Sequence, residues 1–306
     1  MRDPHELYEL ADDVPELGEP VLVQMLTGFV DAGGAVRLAR QHLMSVSDPP
    51  PQLVARFDLD QLLDYRSRRP TMLFVEDHWE SYDEQTLALH VLRDAAGTAY
   101  LLLSGPEPDL QWERFLSAVI GLLERCRVRL TVGLNAIPMA VPHTRPTGIT
   151  AHATRRELIA DYRPWLQRVQ VPAGVGNLLE FRLGQRGHDA LGFAAHVPHY
   201  LASSDYPAAA EALLASLSRA TGLALPIEEL SRAAERVRAT VDAQVARAEE
   251  VATHVRGLEE QYDVLMRSRQ SQHLLPDASE LPTAEELGAE LEKFLAEQAK
   301  PGEPPQ

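Results

Sequence analysis

The sequence predicts an α/β fold, a mixed, mostly parallel sheet flanked by helices, followed by a C-terminal helical region. Three observations predict it. Short, strongly apolar segments recur between polar or helical stretches, the rhythm of strands buried on both faces. The stretches between them carry apolar residues at helical intervals, as covering helices require. Beyond Tyr206 the chain turns alanine-rich and helix-forming.

Taken in order, the expected organisation is an N-terminal extension over 1–19, an α/β domain over 20–205, a helical region over 206–270, and a linker, short amphipathic helix and disordered end over 271–306. Strands are expected at "PVLVQML" (20–26), "QLVARFD" (52–58), "TMLFVE" (71–76), "AYLLLS" (99–104) and "VRLTVGL" (128–134), with further ones near 149–153, 178–183 and 190–197. Between them, 33–44 carries Val36, Leu38, Ala39 and Leu43 at helical spacing, and 109–126 carries Trp112, Phe115, Leu116, Val119, Leu122 and Leu123 with Asp109 as N-cap. In such sheets the loops at the strand C-terminal ends are where ligands usually bind.

The helical region keeps a three-then-four stripe from Leu230 through Val237, Val241, Val251 and Val255 to Leu265, broken where Gln244 takes a seam position beside Val245. A stripe this narrow suits a helix packed on another helix, in the same chain or in a neighbouring subunit. Gly257 is the expected break between two helices. Near the end, Thr283 and Glu286 form a capping-box pattern and Leu287, Leu291, Phe294 and Leu295 share one face, so a helix over 283–298 is expected to dock on its own chain or in a partner's groove.

Composition excludes several classes. A net charge of −16 over 306 residues disfavours nucleic acid and anionic membranes as partners. No apolar run approaches the roughly 18 residues of a membrane span and the N-terminus lacks a signal-peptide pattern, so the expected location is cytoplasmic. The single cysteine, Cys126, lies in a helical pattern and allows neither an intrachain disulfide nor a multi-cysteine metal site. The lysines are Lys293 and Lys300, which removes a general-base or Schiff-base lysine from the folded body.

The stretch "LTGFVDAGGAV" (26–36) has the glycine spacing of a phosphate-binding loop in Gly28 and Gly33. The positions that should be Lys and Ser or Thr are Gly34 and Ala35, and Asp31 sets a carboxylate where phosphate would lie. A dinucleotide fingerprint fails as well. The plain reading is a tight strand-to-helix turn with Asp31 capping the helix.

"GFVDAGGA" resembles the signature of the proteasome-assembly-chaperone-two family, and "GPEPDLQW" (105–112), "VPHTRP" (141–146) and "HVPHYL" (196–201) resemble its later motifs. The similarity runs from about 20 to 265, with the order and spacing of the large actinobacterial members. The matching motif residues are Gly28, Phe29, Asp31, Gly33, Pro108, Trp112, Pro142, Pro146, Pro198, His199 and Tyr200. The resemblance implies a fold related to purine nucleoside phosphorylases. It also implies a homo-oligomer, with a trimer among the forms implied. Eukaryotic relatives act as heterodimeric chaperones in assembling proteasome α-rings.

Two functions remain open on these residues. The first is a non-catalytic assembly, scaffold or chaperone-like protein, a homo-oligomer linked to proteasome handling whose C-terminal helices engage a protein partner. The second is a small-molecule binder or enzyme of the nucleoside phosphorylase or hydrolase kind, with a pocket at the 28–34, 107–112 and 143–145 loops. There Arg145 would hold an anion with Thr144, Asp31 or Glu107 would contact a ribose or base, and His143 would move a proton. The structural alternative pairs Arg145 with Asp31 or Glu107 to fix the loops. His196 and His199 lack a third ligand at a recognised spacing, and Ser104 lacks a nucleophile elbow. No metal, cofactor or catalytic motif is identified.

Overall fold

The computed structural model describes residues 3–28, 30–165 and 168–271. The chain divides into two units, 1–258 and 259–306. Phe29 and the helix expected over 283–298 lie outside the described residues.

The strands are β1 (Tyr8–Leu10), β2 (Val21–Thr27), β3 (Gln52–Phe57), β4 (Met72–Val75), β5 (His78–Tyr82), β6 (Ala88–Arg93), β7 (Ala99–Pro106), β8 (Leu130–Met139), β9 (Ile149–Ala153) and β10 (Ala190–Pro198). The helices are α1 (Ala35–Val46), α2 (Trp112–Arg125), α3 (Val175–Gln185), α4 (Pro207–Thr221), α5 (Glu228–Val245) and α6 (Glu249–Ser271). Eight strands form one sheet in the order β1-β3-β6-β7-β2-β8-β10-β9. Its centre is parallel: β2 pairs with β7 and β8, and β8 pairs with β10. Its flanks are antiparallel, β1, β3 and β6 on one side and β9 on the other.

The alternation of side chains along the central strands divides the core in two. Val23, Met25, Leu102, Val132, Leu134 and Phe193 face α1 and α4, where Val36, Ala39, Leu213 and Leu217 meet them. Leu22, Leu101 and Leu103 point the other way, onto Phe115, Val119 and Leu122 of α2 and Leu179 and Leu183 of α3. Two buried layers explain why the central strands read as continuous apolar runs rather than alternating ones.

Several elements differ from the sequence expectation. Residues 178–183 are helical, part of α3: Leu179 and Leu183 stand four apart on one buried face, which a helix satisfies and a strand does not. The extension contributes β1, which pairs with β3 at the sheet edge. "TMLFVE" does form a strand, β4, but it pairs only with β5, in a separate hairpin with exposed side chains. The break in the helical region falls at 246–248, where the stripe itself loses phase, while Gly257 sits inside α6. No helix among the described residues is long and apolar enough to cross a membrane.

Candidate functional site

The strand order brings the ends of β7, β2, β8 and β10 side by side in one parallel array, and the four motif loops leave from those ends. Each loop then spends its polar groups on its neighbours.

In the first loop, the Asp31 carboxylate accepts hydrogen bonds from the backbone N–H groups of Val36 (2.8 Å) and Arg37 (3.1 Å), in the first turn of α1. These are donors a helix start leaves unpaired, and a carboxylate there also meets the favourable end of the helix dipole. Burial nevertheless holds the Asp31 carboxyl above its ordinary pKa, with the two N–H groups and Arg37 pulling the other way. Gly33, at φ 66°, donates through its N–H to the Ala202 carbonyl (2.7 Å) and accepts from the Tyr206 N–H (2.8 Å). A Cβ on Gly33 would stand 2.7 Å from that of Tyr206. The first loop is therefore stitched to the segment that follows the fourth motif.

The second loop does the same on the other face of the sheet. Its Glu107 carboxylate accepts from the Val175 N–H at the start of α3, and it fills the space beside Gly28 that any larger residue would need. Asp109 anchors the 59–68 segment: its N–H donates to the Leu62 carbonyl (2.8 Å), and its carboxylate accepts from the Asp64 N–H (2.9 Å) and pairs with Arg68. The Trp112 indole N–H turns back to the Pro108 carbonyl (2.7 Å).

The third and fourth loops meet at His143, whose side chain is 2% exposed. Its backbone N–H donates to the Tyr200 hydroxyl (2.9 Å), its Nδ1 lies 2.7 Å from the same oxygen, and its Nε2 lies 3.0 Å from Asp242 of α5. All three bonds are satisfied together when Tyr200 accepts from the backbone and donates to Nδ1, leaving Nε2–H to donate to the Asp242 carboxylate. Asp242 and the hydrogen bonds of Tyr200 to His143 escaped sequence reasoning, since Asp242 lies 99 residues and Tyr200 57 residues from His143 and no local spacing announces either. His196, buried in β10, bonds Thr150 (2.7 Å), whereas His199 is exposed and packs edge-on against His254. The "HVPH" histidines thus point to different neighbours. No group of three His, Cys, Asp or Glu side chains suited to a metal ion occurs among the described residues.

A cleft of about 480 Å³ opens where the third loop faces α4 and α5. His143, Thr144 and Arg145 line it from the loop, Glu211 from α4, and Glu235 and Arg238 from α5. Its volume is in the range of small-ligand sites. Asp31 and Glu107 do not line this cleft; each is engaged at a helix N-terminus. Of the residues singled out from the sequence, the fold brings His143, Thr144 and Arg145 together and holds the two carboxylates elsewhere.

The sequence model described as "PAC2 family" matches residues 25–245. A crystal structure of a Mycobacterium tuberculosis protein of unknown function is similar over 88% of this chain and 92% of its own, at 50% identity and a TM-score of 0.85. A Corynebacterium glutamicum protein of unknown function follows at 40% identity and a TM-score of 0.80, over 86% of this chain and 99% of its own. A Mycobacterium tuberculosis proteasome-assembly chaperone homologue shares the fold at 24% identity and a TM-score of 0.70, over 77% of this chain and 99% of its own. No curated protein matches the chain.

Proposed function

As this chain belongs to the PAC2 family, we propose that it is a non-catalytic, chaperone-like assembly protein, a cytoplasmic homo-oligomer that acts on proteasome components through its C-terminal helices. The observation that carries this reading is the engagement of the motif carboxylates. Asp31 and Glu107, the acids best placed for chemistry at the strand ends, each cap a helix, and His143 is buried between Tyr200 and Asp242. Such a site stiffens one end of the sheet and presents a surface of fixed shape. Neither carboxylate is left as an acid or base facing the open cleft. The phosphate-loop spacing supports the same reading, because the residues that would contact phosphate and magnesium are replaced by Gly34 and Ala35. The test is co-purification of the tagged full chain from native extract, together with native-gel analysis of proteasome assembly in a deletion strain. Proteasome subunits in the eluate and slowed assembly are expected; neither subunits nor a change in assembly overturns the reading.

The cleft beside His143 favours a second reading, a small-molecule binder. Arg145 and Arg238 on its lining suit an anionic group, and the alanines of α4 suit a flat apolar one. A thermal-shift screen with phosphate, nucleosides and nucleotides separates the two. Stabilisation that disappears in Arg145→Ala would favour the binder.

A further inference from the structure

A cluster of basic side chains gathers where the flank of α1 meets β6 and β3. Cross-strand register sets Arg56 of β3 opposite Ala88 of β6, and Leu53 opposite His90, so Arg56 and His90 occupy one face of the sheet in adjacent rows. This is the face of Leu92, which belongs with Leu43 of α1 to the core layer under that helix. The helix returns against the direction of β2, and β6 runs against β7, the parallel neighbour of β2, so α1 and β6 run the same way. Arg40 lies one turn before Leu43 and Met44, about 5 Å along the helix, and His90 lies two residues before Leu92, about 7 Å along the strand, which brings the two level.

What these groups lack is a partner. Arg40 Nε and His90 Nδ1 are buried without a hydrogen bond. Among the described residues neither Arg40 nor Arg56 makes an ion pair, although the chain carries 45 acidic residues against 29 basic ones. Glu9, opposite Arg56 on β1, is exposed and makes no ion pair with it. Burial first, and then the positive charges of Arg56 and Arg40, hold the His90 imidazole below its ordinary pKa. Buried polar atoms without partners and like charges drawn together both cost stability, and such groups call for a ligand that supplies what is missing. Water would satisfy the two nitrogens and leave the repulsion. An anion answers both. The basic groups come from α1 on one side, β6 beneath and β3 at the far side, an arrangement that suits a tetrahedral, doubly charged phosphoryl group, whereas a planar carboxylate is met by a single arginine fork.

We propose that Arg40, Arg56 and His90 form a binding site for the phosphoryl group of a small soluble phosphate, either the inorganic ion or a monoester. The site shares no residue with the lining of the cleft beside His143 and goes beyond both readings given above. The test is thermal unfolding of the full chain in about 10 mM inorganic phosphate or glycerol phosphate, against sodium chloride of equal ionic strength. A rise in melting temperature of about 3 °C is expected. A rise with inorganic phosphate marks the free ion as sufficient, a rise with glycerol phosphate alone marks a monoester, and no rise with either overturns the site. Arg56→Gln, at an exposed position, is expected to abolish the rise. Arg40→Leu carries the sharper signature. In chloride it should melt at or above wild type, because an unpaired buried donor and its repulsion are gone, and in phosphate it should melt below. A loss in chloride as large as that in phosphate makes Arg40 a structural residue and overturns the proposal. A rise that survives both Arg40→Leu and Arg56→Gln overturns it too, and loss of that rise in Arg145→Ala would put the anion in the cleft instead.

Discussion

The motif loops and the β4–β5 hairpin arise at the same end of the sheet, because β3 runs parallel to β7 and β2 once its two antiparallel steps through β6 are counted. Their side chains are treated in opposite ways. In the motif loops nearly every polar group named above finds an internal partner, and the residues that look chemical, Asp31, Glu107 and His143, are engaged in caps and a buried hydrogen-bond chain. In the hairpin the large apolar groups find no cover among the described residues. A sequence motif thus marks where the fold is braced, and a stretch with no motif marks where it has binding surface left over.

The contrast can be broken most sharply at Gly33. Gly33→Ala must adopt a left-handed backbone and push against Tyr206, so a loss of about 3 kcal/mol is expected in urea unfolding. A loss under about 1 kcal/mol would mean the loops are not braced against one another. Next is Tyr200→Phe, which leaves the buried His143 N–H and Nδ1 without their shared partner. A cost of about 2 kcal/mol is expected by the same measurement.

Asp31 sharpens the comparison at lower cost. Removing its cap in Asp31→Ala should lose about 1 kcal/mol. Its pH signature has a definite sign. Burial raises the folded-state pKa above the unfolded value, so the native state holds that proton more tightly. The associated stability is fully present below the ordinary carboxylate pKa of about 3.9 and is lost as pH rises through the raised one. Melting temperatures of wild type and Asp31→Asn measured across the carboxylate range should therefore diverge, with wild type falling relative to the variant as pH rises.

The smallest effect on the subunit is expected in the hairpin. At a dilution where subunits are separate, Phe74→Ser/Trp79→Ser should unfold within about 0.5 kcal/mol of wild type, because half-exposed side chains have little burial to lose. A penalty as large as that of Tyr200→Phe would place the hairpin with the braced loops and erase the contrast.

Much of this was legible in the residues themselves. The central strands announced themselves by runs such as 99–104, and the turn at Asp31 by its glycines and acid. Ala88–Arg93 was not picked out as a strand, although it lies inside the sheet, and 178–183 read as strand where a helix forms. Over stretches so short, apolar content alone does not separate a buried strand from one buried face of a helix. "TMLFVE" read as a buried strand for the same reason. The neighbouring "HWESY" held the missing signal, since aromatic residues on both sides of a two-residue Glu-Asp turn share one face of a hairpin.

What the sequence by itself determined is chemical and local: the central strands and the helices that cover them, the failure of the phosphate loop through Gly34 and Ala35, and a resemblance that points to the family. These follow from side-chain identity and short-range periodicity, which the chain carries wherever it goes. Tertiary structure alone decided that His143 finds Asp242, that Glu107 caps a helix starting 68 residues away, and that one apolar strand pair stands outside the sheet. Burial and long-range hydrogen bonding depend on which surfaces the whole chain brings together, and no residue specifies them alone.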